Sequence, residues 1–132
     1  MRRVLIVGGA NGIGLSIAKV LTQRESTEKV YIIDKAPLAE EYREERIESI
    51  QFDLTCEDYS LFDRFTDIDG LMITAGFGRL ALFKDIDEKT IQTYFSVNAV
   101  AVIRVIRHFY DRLLSQEDFH CGVMVRDRKS VV

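Results

Sequence analysis

Hydrophobic positions along the chain switch between short unbroken runs and helical spacings, and the switching places most of the elements. Val4 to Val7 is a run of four apolar residues that leads straight into glycines at 8, 9, 12 and 14. Ile13, Ile17, Val20 and Leu21 then recur at helical spacing, with Lys19, Gln23 and Arg24 on the other side. The opening therefore reads strand, glycine turn, helix. Lys29 to Ile33 is a β-branched and aromatic run that predicts a second strand ending at Asp34. Ala39 to Arg46 interleaves Glu and Arg, which predicts a solvated helix held by side-chain pairs. Ile47 to Leu54 predicts a third strand, Thr55 and Asp58 resemble a capping box, and Tyr59 to Phe65 predicts a short amphipathic helix with Leu61, Phe62 and Phe65 inward.

Ile68 to Gly76 reads as a fourth strand that runs into a turn of small residues. Asp87 caps a predicted long helix with apolar positions at Ile91, Phe95, Val102, Val105 or Ile106, Phe109 and Leu113. Asn98 falls on that stripe, so it is either a structural polar contact or a site residue. Between Val97 and Ile106 only Asn98 and Arg104 are not apolar, which predicts a helix burying more than one face, against another subunit. Cys121 to Val125 begins as a buried fifth strand should. Arg126 to Lys129 then adds four charges that a covered strand could not bury, and residues 126–132 are expected to form an exposed tail.

Composition narrows the class. With 132 residues, 47% of them apolar and 30% charged, the chain suits a single folded domain over 1–132. A net charge of −3 argues against broad affinity for nucleic acid or an anionic membrane. The apolar run after Met1-Arg2-Arg3 stops at Gly8, too short for a signal peptide, and no stretch is long enough to cross a bilayer. The expected setting is cytoplasmic. Cys56 and Cys121 stand apart from each other and from any metal-ligand spacing, so reduced thiols and no metal site are expected.

The glycine turn carries the chemistry. It needs backbone conformations that glycine adopts cheaply, its lack of side chains lets a ligand approach the main chain, and the helix that follows offers free N–H groups and a positive dipole end. A phosphate or pyrophosphate is the preferred occupant there. The bland alternative is a turn that merely lets a helix pack closely on a strand. The spacing Gly-x-x-x-Gly-x-Gly, from Gly8 through Gly12 to Gly14, resembles the cofactor loop of the short-chain dehydrogenase/reductase family, with Val7 where most members carry threonine.

That resemblance covers residues 4 to about 125 and implies a Rossmann-type doubly wound, mostly parallel α/β sheet in the order 3-2-1-4-5. It also implies NAD-binding roles for Gly8, Asn11, Gly12, Ile13 and Gly14 in the loop. Asp34, about 20 residues on, would meet the adenosine ribose and repel a 2′-phosphate, favouring NAD over NADP, although Lys35 beside it blurs this. An aspartate that simply ends a strand is the alternative. Asp53 and Leu54 match the place where the family meets adenine, or else a strand-end turn. In the turn after the fourth strand the family usually has Asn-Asn-Ala-Gly. Here Ile73 and Thr74 replace the asparagines while Ala75 and Gly76 fit.

For catalysis, the resemblance implies Asn98 as the family's tetrad asparagine. Its partners, a tyrosine and a lysine spaced Tyr-x-x-x-Lys on a helix and a serine, are not matched. Tyr31 and Lys35 have the spacing, but on a strand four residues span about 13 Å rather than the roughly 6 Å of a helix. Ser130 is offset by about one residue from the family's serine. The expectation is a truncated short-chain dehydrogenase/reductase that binds NAD without turnover, its family pattern ending near Val125 as an interrupted coding sequence would. The alternatives are an NAD-responsive binding or regulatory module and a folded remnant without activity. Self-association is expected through the 88–114 helix or an open strand edge.

Overall fold

A computed structural model describes residues 1–76 and 81–124. Five strands, β1 (Arg3–Val7), β2 (Lys29–Asp34), β3 (Ile47–Gln51), β4 (Gly70–Ile73) and β5 (His120–Val123), form one sheet in the order β3-β2-β1-β4-β5. Every pairing is parallel, with Val4 opposite both Val30 and Gly70. The sequence-based order is therefore the observed one. Parallel central strands are covered on both faces, which is why β1 shows no polar alternation. Val4, Ile6, Val30 and Ile32 pack under helix α1 (Gly12–Thr22), while Leu5, Val7, Ile33, Leu71 and Ile73 pack on the opposite face with Phe62, Val105 and Phe109.

Helix α1 turns a different side inward from the one its large residues predict. Gly14, Leu15, Ala18 and Leu21 are buried, whereas Ile13 and Val20 are exposed. Small residues at 14 and 18 bring the helix axis close to the sheet, and side-chain size was the wrong guide.

Two local expectations fail for identifiable reasons, and a third holds in a tighter form. Ala39 to Arg46 forms only a 3₁₀ turn at Glu40–Tyr42. Instead of pairing along a helix, the Arg46 guanidinium donates to the carbonyls of Thr22, the last residue of α1, and of Arg24 and Thr27 beyond it, and Arg43 donates to Leu38 O. The capping box at Thr55 does not form, because Asp53 Oδ1 accepts from both the backbone N–H and the hydroxyl of Thr55, at 2.9 and 2.7 Å. The Tyr59 to Phe65 segment is a 3₁₀ helix, Ser60–Arg64, that still buries Phe62 and Phe65.

Asp87 caps as expected, accepting from Thr90 N–H at 2.7 Å. The predicted long helix is segmented: α2 (Glu88–Phe95), a π-helical stretch Ser96–Val100, α3 (Ala101–His108) and α4 (Tyr110–Ser115). Strand β5 is more exposed than its sequence suggests, with Cys121 and Val123 open to solvent, because it lies at the sheet edge among the described residues. Val125, Ser130 and the 126–132 tail lie outside the described residues. No described helix is long and apolar enough to cross a membrane.

Candidate dinucleotide site

The strand order reverses between β1 and β4, so the loops leaving their C-terminal ends diverge and open a crevice between them. Their backbones are tied together first. Val7 O accepts from Thr74 N–H at 2.8 Å and Ala75 N–H at 2.9 Å, and Gly8 N–H donates to Ile33 O at 2.7 Å. The loop then turns through two left-handed glycines, Gly8 with φ 93° and Gly12 with φ 57°. A Cβ at Gly8 would lie 2.5 Å from Ala75 N, and one at Gly14 would lie 2.5 Å from Thr74 Oγ1 and closer still to Gly8 O. At 8 and 14, therefore, the missing side chains make room for the protein's own backbone.

A cavity of about 400 Å³ lies in the crevice. All eleven residues expected at a cofactor line it: Gly8, Asn11, Gly12, Ile13 and Gly14 from the first loop, Asp34 after β2, Asp53 and Leu54 after β3, and Thr74, Ala75 and Gly76 after β4. Asn11 caps α1 from an extended conformation without a side-chain hydrogen bond, and no acidic residue sits in the first turn of α1. The positive end of the helix dipole thus meets no competing carboxylate from its own first turn.

Asp34 is more than a strand-end residue. Its Oδ2 accepts from Ala10 N–H and its Oδ1 from Ala36 N–H, each at 3.0 Å, so one carboxylate anchors the glycine loop and the turn after β2. Each oxygen keeps further lone pairs for a ligand. Asp53 is held below the usual carboxylate range by the Thr55 hydroxyl and backbone N–H, helped by Lys35, against the opposing effect of burial. The Lys35 ammonium lies 3.9 Å from Asp53 Oδ2, a solvent-exposed pairing of little energetic weight.

Asn98 sits in the π-helical stretch and does not line the cavity. Its Oδ1 lies 3.5 Å from where a Cβ on Gly76 would be. Tyr31 and Lys35 do not form a pair: the Tyr31 hydroxyl donates to Asp67 Oδ2 at 3.3 Å, while Lys35 faces Asp53. Among the described residues no cluster of His, Cys, Asp or Glu could hold a metal. Sequence reasoning did not place Ile33, Lys35, Phe52, Thr55, Thr93, Val97 and Met124 in the lining. The four-residue spacing of Thr93 and Val97 beside Asn98 was the available signal for two of them.

The short chain dehydrogenase family model matches residues 2–120. No curated protein matches the chain. Among solved structures, a bulky-bulky ketone specific alcohol dehydrogenase from Comamonas testosteroni is 23% identical with a TM-score of 0.79, over 93% of this chain and 54% of its own. A short chain dehydrogenase from Leptospira borgpetersenii, solved with bound NAD+, is 23% identical with a TM-score of 0.69, over 84% of this chain and 47% of its own. ElxO, solved with NADP bound, is 21% identical with a TM-score of 0.66, over 92% and 53%. This chain thus spans about half the length of the solved structures it matches. With the parallel order β3-β2-β1-β4-β5, the glycine crevice and a family match that runs from Arg2 to His120, the chain belongs to the short-chain dehydrogenase family.

Proposed function

We propose that the chain binds a nicotinamide dinucleotide across the C-terminal ends of β1 and β4, NAD in preference to NADP. The observation that carries this reading is convergence: residues 8, 11–14, 34, 53–54 and 74–76, from stretches far apart in sequence, surround one cavity. The loop N–H groups and the start of α1 would hold the pyrophosphate, Asp34 the adenosine ribose, and Asp53 with Leu54 the adenine. Asp34 already accepts two backbone N–H bonds, so it is fixed where a 2′-phosphate would meet its charge. When bound, such a cofactor gives or takes a hydride. Calorimetric titration with NAD and NADP is the test, and equal or tighter binding of NADP overturns the role of Asp34.

The 132-residue chain is proposed to bind without turnover. General acid–base catalysis contributes about 10²- to 10⁴-fold, and the one tyrosine with a lysine four residues on, Tyr31, lies on strand β2 rather than on a helix. Asn98 remains the candidate for the family's asparagine role. Steady NAD-linked turnover of alcohols or ketones by the pure chain would overturn this part. The two free cysteines, Cys56 and Cys121, favour a reducing, cytoplasmic setting.

A second observation favours a homo-oligomer. Phe95, Ile103, Tyr110 and Leu114 are exposed along the α2–α4 segment, an apolar stripe that a second copy would cover.

A further inference from the structure

The geometry points to Arg104 as a positioning residue of the nucleotide site: reaching from α3, it fixes the loop after β3 so that Asp53 and Leu54 stand where a purine base is read. The inference rests on the dinucleotide reading above and deepens it, because it assigns base selectivity to a side chain that does not line the cavity.

Residues 52–59 join β3 to the 3₁₀ helix Ser60–Arg64 and carry no strand or helix of their own, so no ladder fixes where Asp53 and Leu54 stand. Short-range bonds shape the loop. Thr55 donates twice to Asp53 Oδ1, Cys56 N–H donates to Asp53 O at 3.1 Å, and Ser60 N–H donates to Asp58 Oδ1 at 2.8 Å. These contacts set its form and leave its position to partners more distant in sequence.

Arg104 is such a partner. Its Nη1 donates to Cys56 O at 2.8 Å and its Nη2 to Glu57 O at 2.6 Å, across 48 and 47 residues. The same guanidinium lies 3.5 Å from the centre of the Tyr59 ring, which a planar cation can cover while its terminal nitrogens stay on carbonyls. Tyr59 passes the constraint on. Its buried ring packs edge to face with Phe52 at 5.5 Å, and its hydroxyl donates to Leu54 O at 2.6 Å. Contacts therefore run from α3 through Arg104 and Tyr59 to Leu54, the residue beside Asp53.

Helix α3 is seated on the sheet without Arg104. Ala101 and Val105, which flank it in the helix, are 2% and 1% exposed and hold that side down. A half-buried cation that directs two charge-assisted bonds to one loop thus acts chiefly on the loop. What the loop carries toward the cavity is Asp53, the acceptor an adenine amino group would meet. Hypoxanthine presents an oxygen at that place, and a fixed carboxylate repels it.

Calorimetry with NAD+ and nicotinamide hypoxanthine dinucleotide, which differ at that place on the base, tests the assignment. The native chain should prefer NAD+ by at least about tenfold. Arg104→Met keeps a long side chain and removes the donors, while Tyr59→Phe keeps the ring and removes the bond to Leu54 O. Each should lower the preference by at least about threefold, mainly through weaker binding of NAD+. A role in general stability alone would weaken both dinucleotides alike and leave their ratio unchanged. Tyr59→Phe retains the packed ring, so it decides the matter even where Arg104→Met fails to fold. A smaller fall in a folded variant, or no such preference in the native chain, overturns this inference and leaves the dinucleotide reading standing. If neither dinucleotide binds the native chain, both fall.

Discussion

The Thr74 hydroxyl donates to the carbonyl oxygen of Gly8 across 3.0 Å, joining the end of β4 to the first turn of the glycine loop. Val7 O lies 3.3 Å from the same hydroxyl, so one side chain lies against two successive carbonyls of the loop's root. The family usually has an asparagine amide at this position. A β-branched hydroxyl does the same joining with a shorter reach, and it can do so because Gly14 leaves space beside it.

Thr74→Val keeps the shape and removes the donor. Gly8 O then loses its partner in a half-buried place, which should cost about 1 kcal/mol in urea unfolding. Because the loop is no longer held, ADP and NAD should bind at least about fivefold more weakly, while Thr74→Ser restores both quantities. Unchanged affinity in a folded Thr74→Val protein would show that the hydroxyl does not position the loop.

Gly14→Ala should be far more damaging than Gly76→Ala. The new methyl at 14 meets backbone, which cannot swing aside, and overpacking of this kind costs about 1–3 kcal/mol. At 76 the nearest atom is Asn98 Oδ1 at 3.5 Å, an ordinary contact. Thermal unfolding should fall by about 5 °C or more for Gly14→Ala and stay within about 1 °C for Gly76→Ala. Equal midpoints would mean that the loops are not packed as described.

Asp69 gives a pH signature. Its carboxylate accepts from the N–H of Arg2 at 2.9 and 2.8 Å and from that of Arg3 at 2.9 Å, fixing the start of β1 against β4. Burial pushes its pKa up, but those N–H donors and the terminal ammonium outweigh burial and hold it below the ordinary value. A group depressed on folding adds stability above its unfolded pKa, near about 3.9, and loses it as pH falls through the lower folded value. Asp69→Asn should therefore unfold earlier than the native chain at pH 5–8, by about 1 kcal/mol. The gap should close below about pH 4. A gap that persists in acid would remove the charge from the explanation.

How far the sequence foretold all this differs by element. Strands β1, β2 and β4 were legible because burial on both faces writes them as unbroken apolar runs, and the glycine loop because its φ values demand the residue. What was hidden depends on distant partners. Arg46 turns toward carbonyls at the end of α1, and Thr55 gives its hydrogen to Asp53, so neither builds the helix its neighbours suggest. The break before α4 has no proline or glycine to announce it. Phe109 leaves helical geometry, at φ −100° and ψ 8°, with its ring 6.3 Å from both Phe62 and Phe119. The residues expected after β1, β2, β3 and β4 do line the cavity, but Ile33, Phe52 and Thr55 on the β2–β3 side were not foreseen. Its other wall depends on how the α2–α4 segment lies against the sheet, which local pattern does not encode.

That same segment carries the last prediction. Phe95, Ile103, Tyr110 and Leu114, one at the end of α2, one on α3 and two on α4, are 65%, 65%, 54% and 70% exposed. The opposite side, through Val105 and Phe109, is already buried against the sheet, so the stripe is surplus to the chain's own core. A two-fold dimer would pair the stripe with itself and count each substitution twice. Sedimentation velocity should show a dimer that dissociates on dilution. Ile103→Glu, which places a charge in the middle of the stripe, should weaken the dimer by at least about tenfold, or about 1.4 kcal/mol. Val20→Glu, at an exposed position on α1, should leave the association unchanged. A native chain that stays monomeric at every concentration, or an equal response to both substitutions, would rule out pairing through this face.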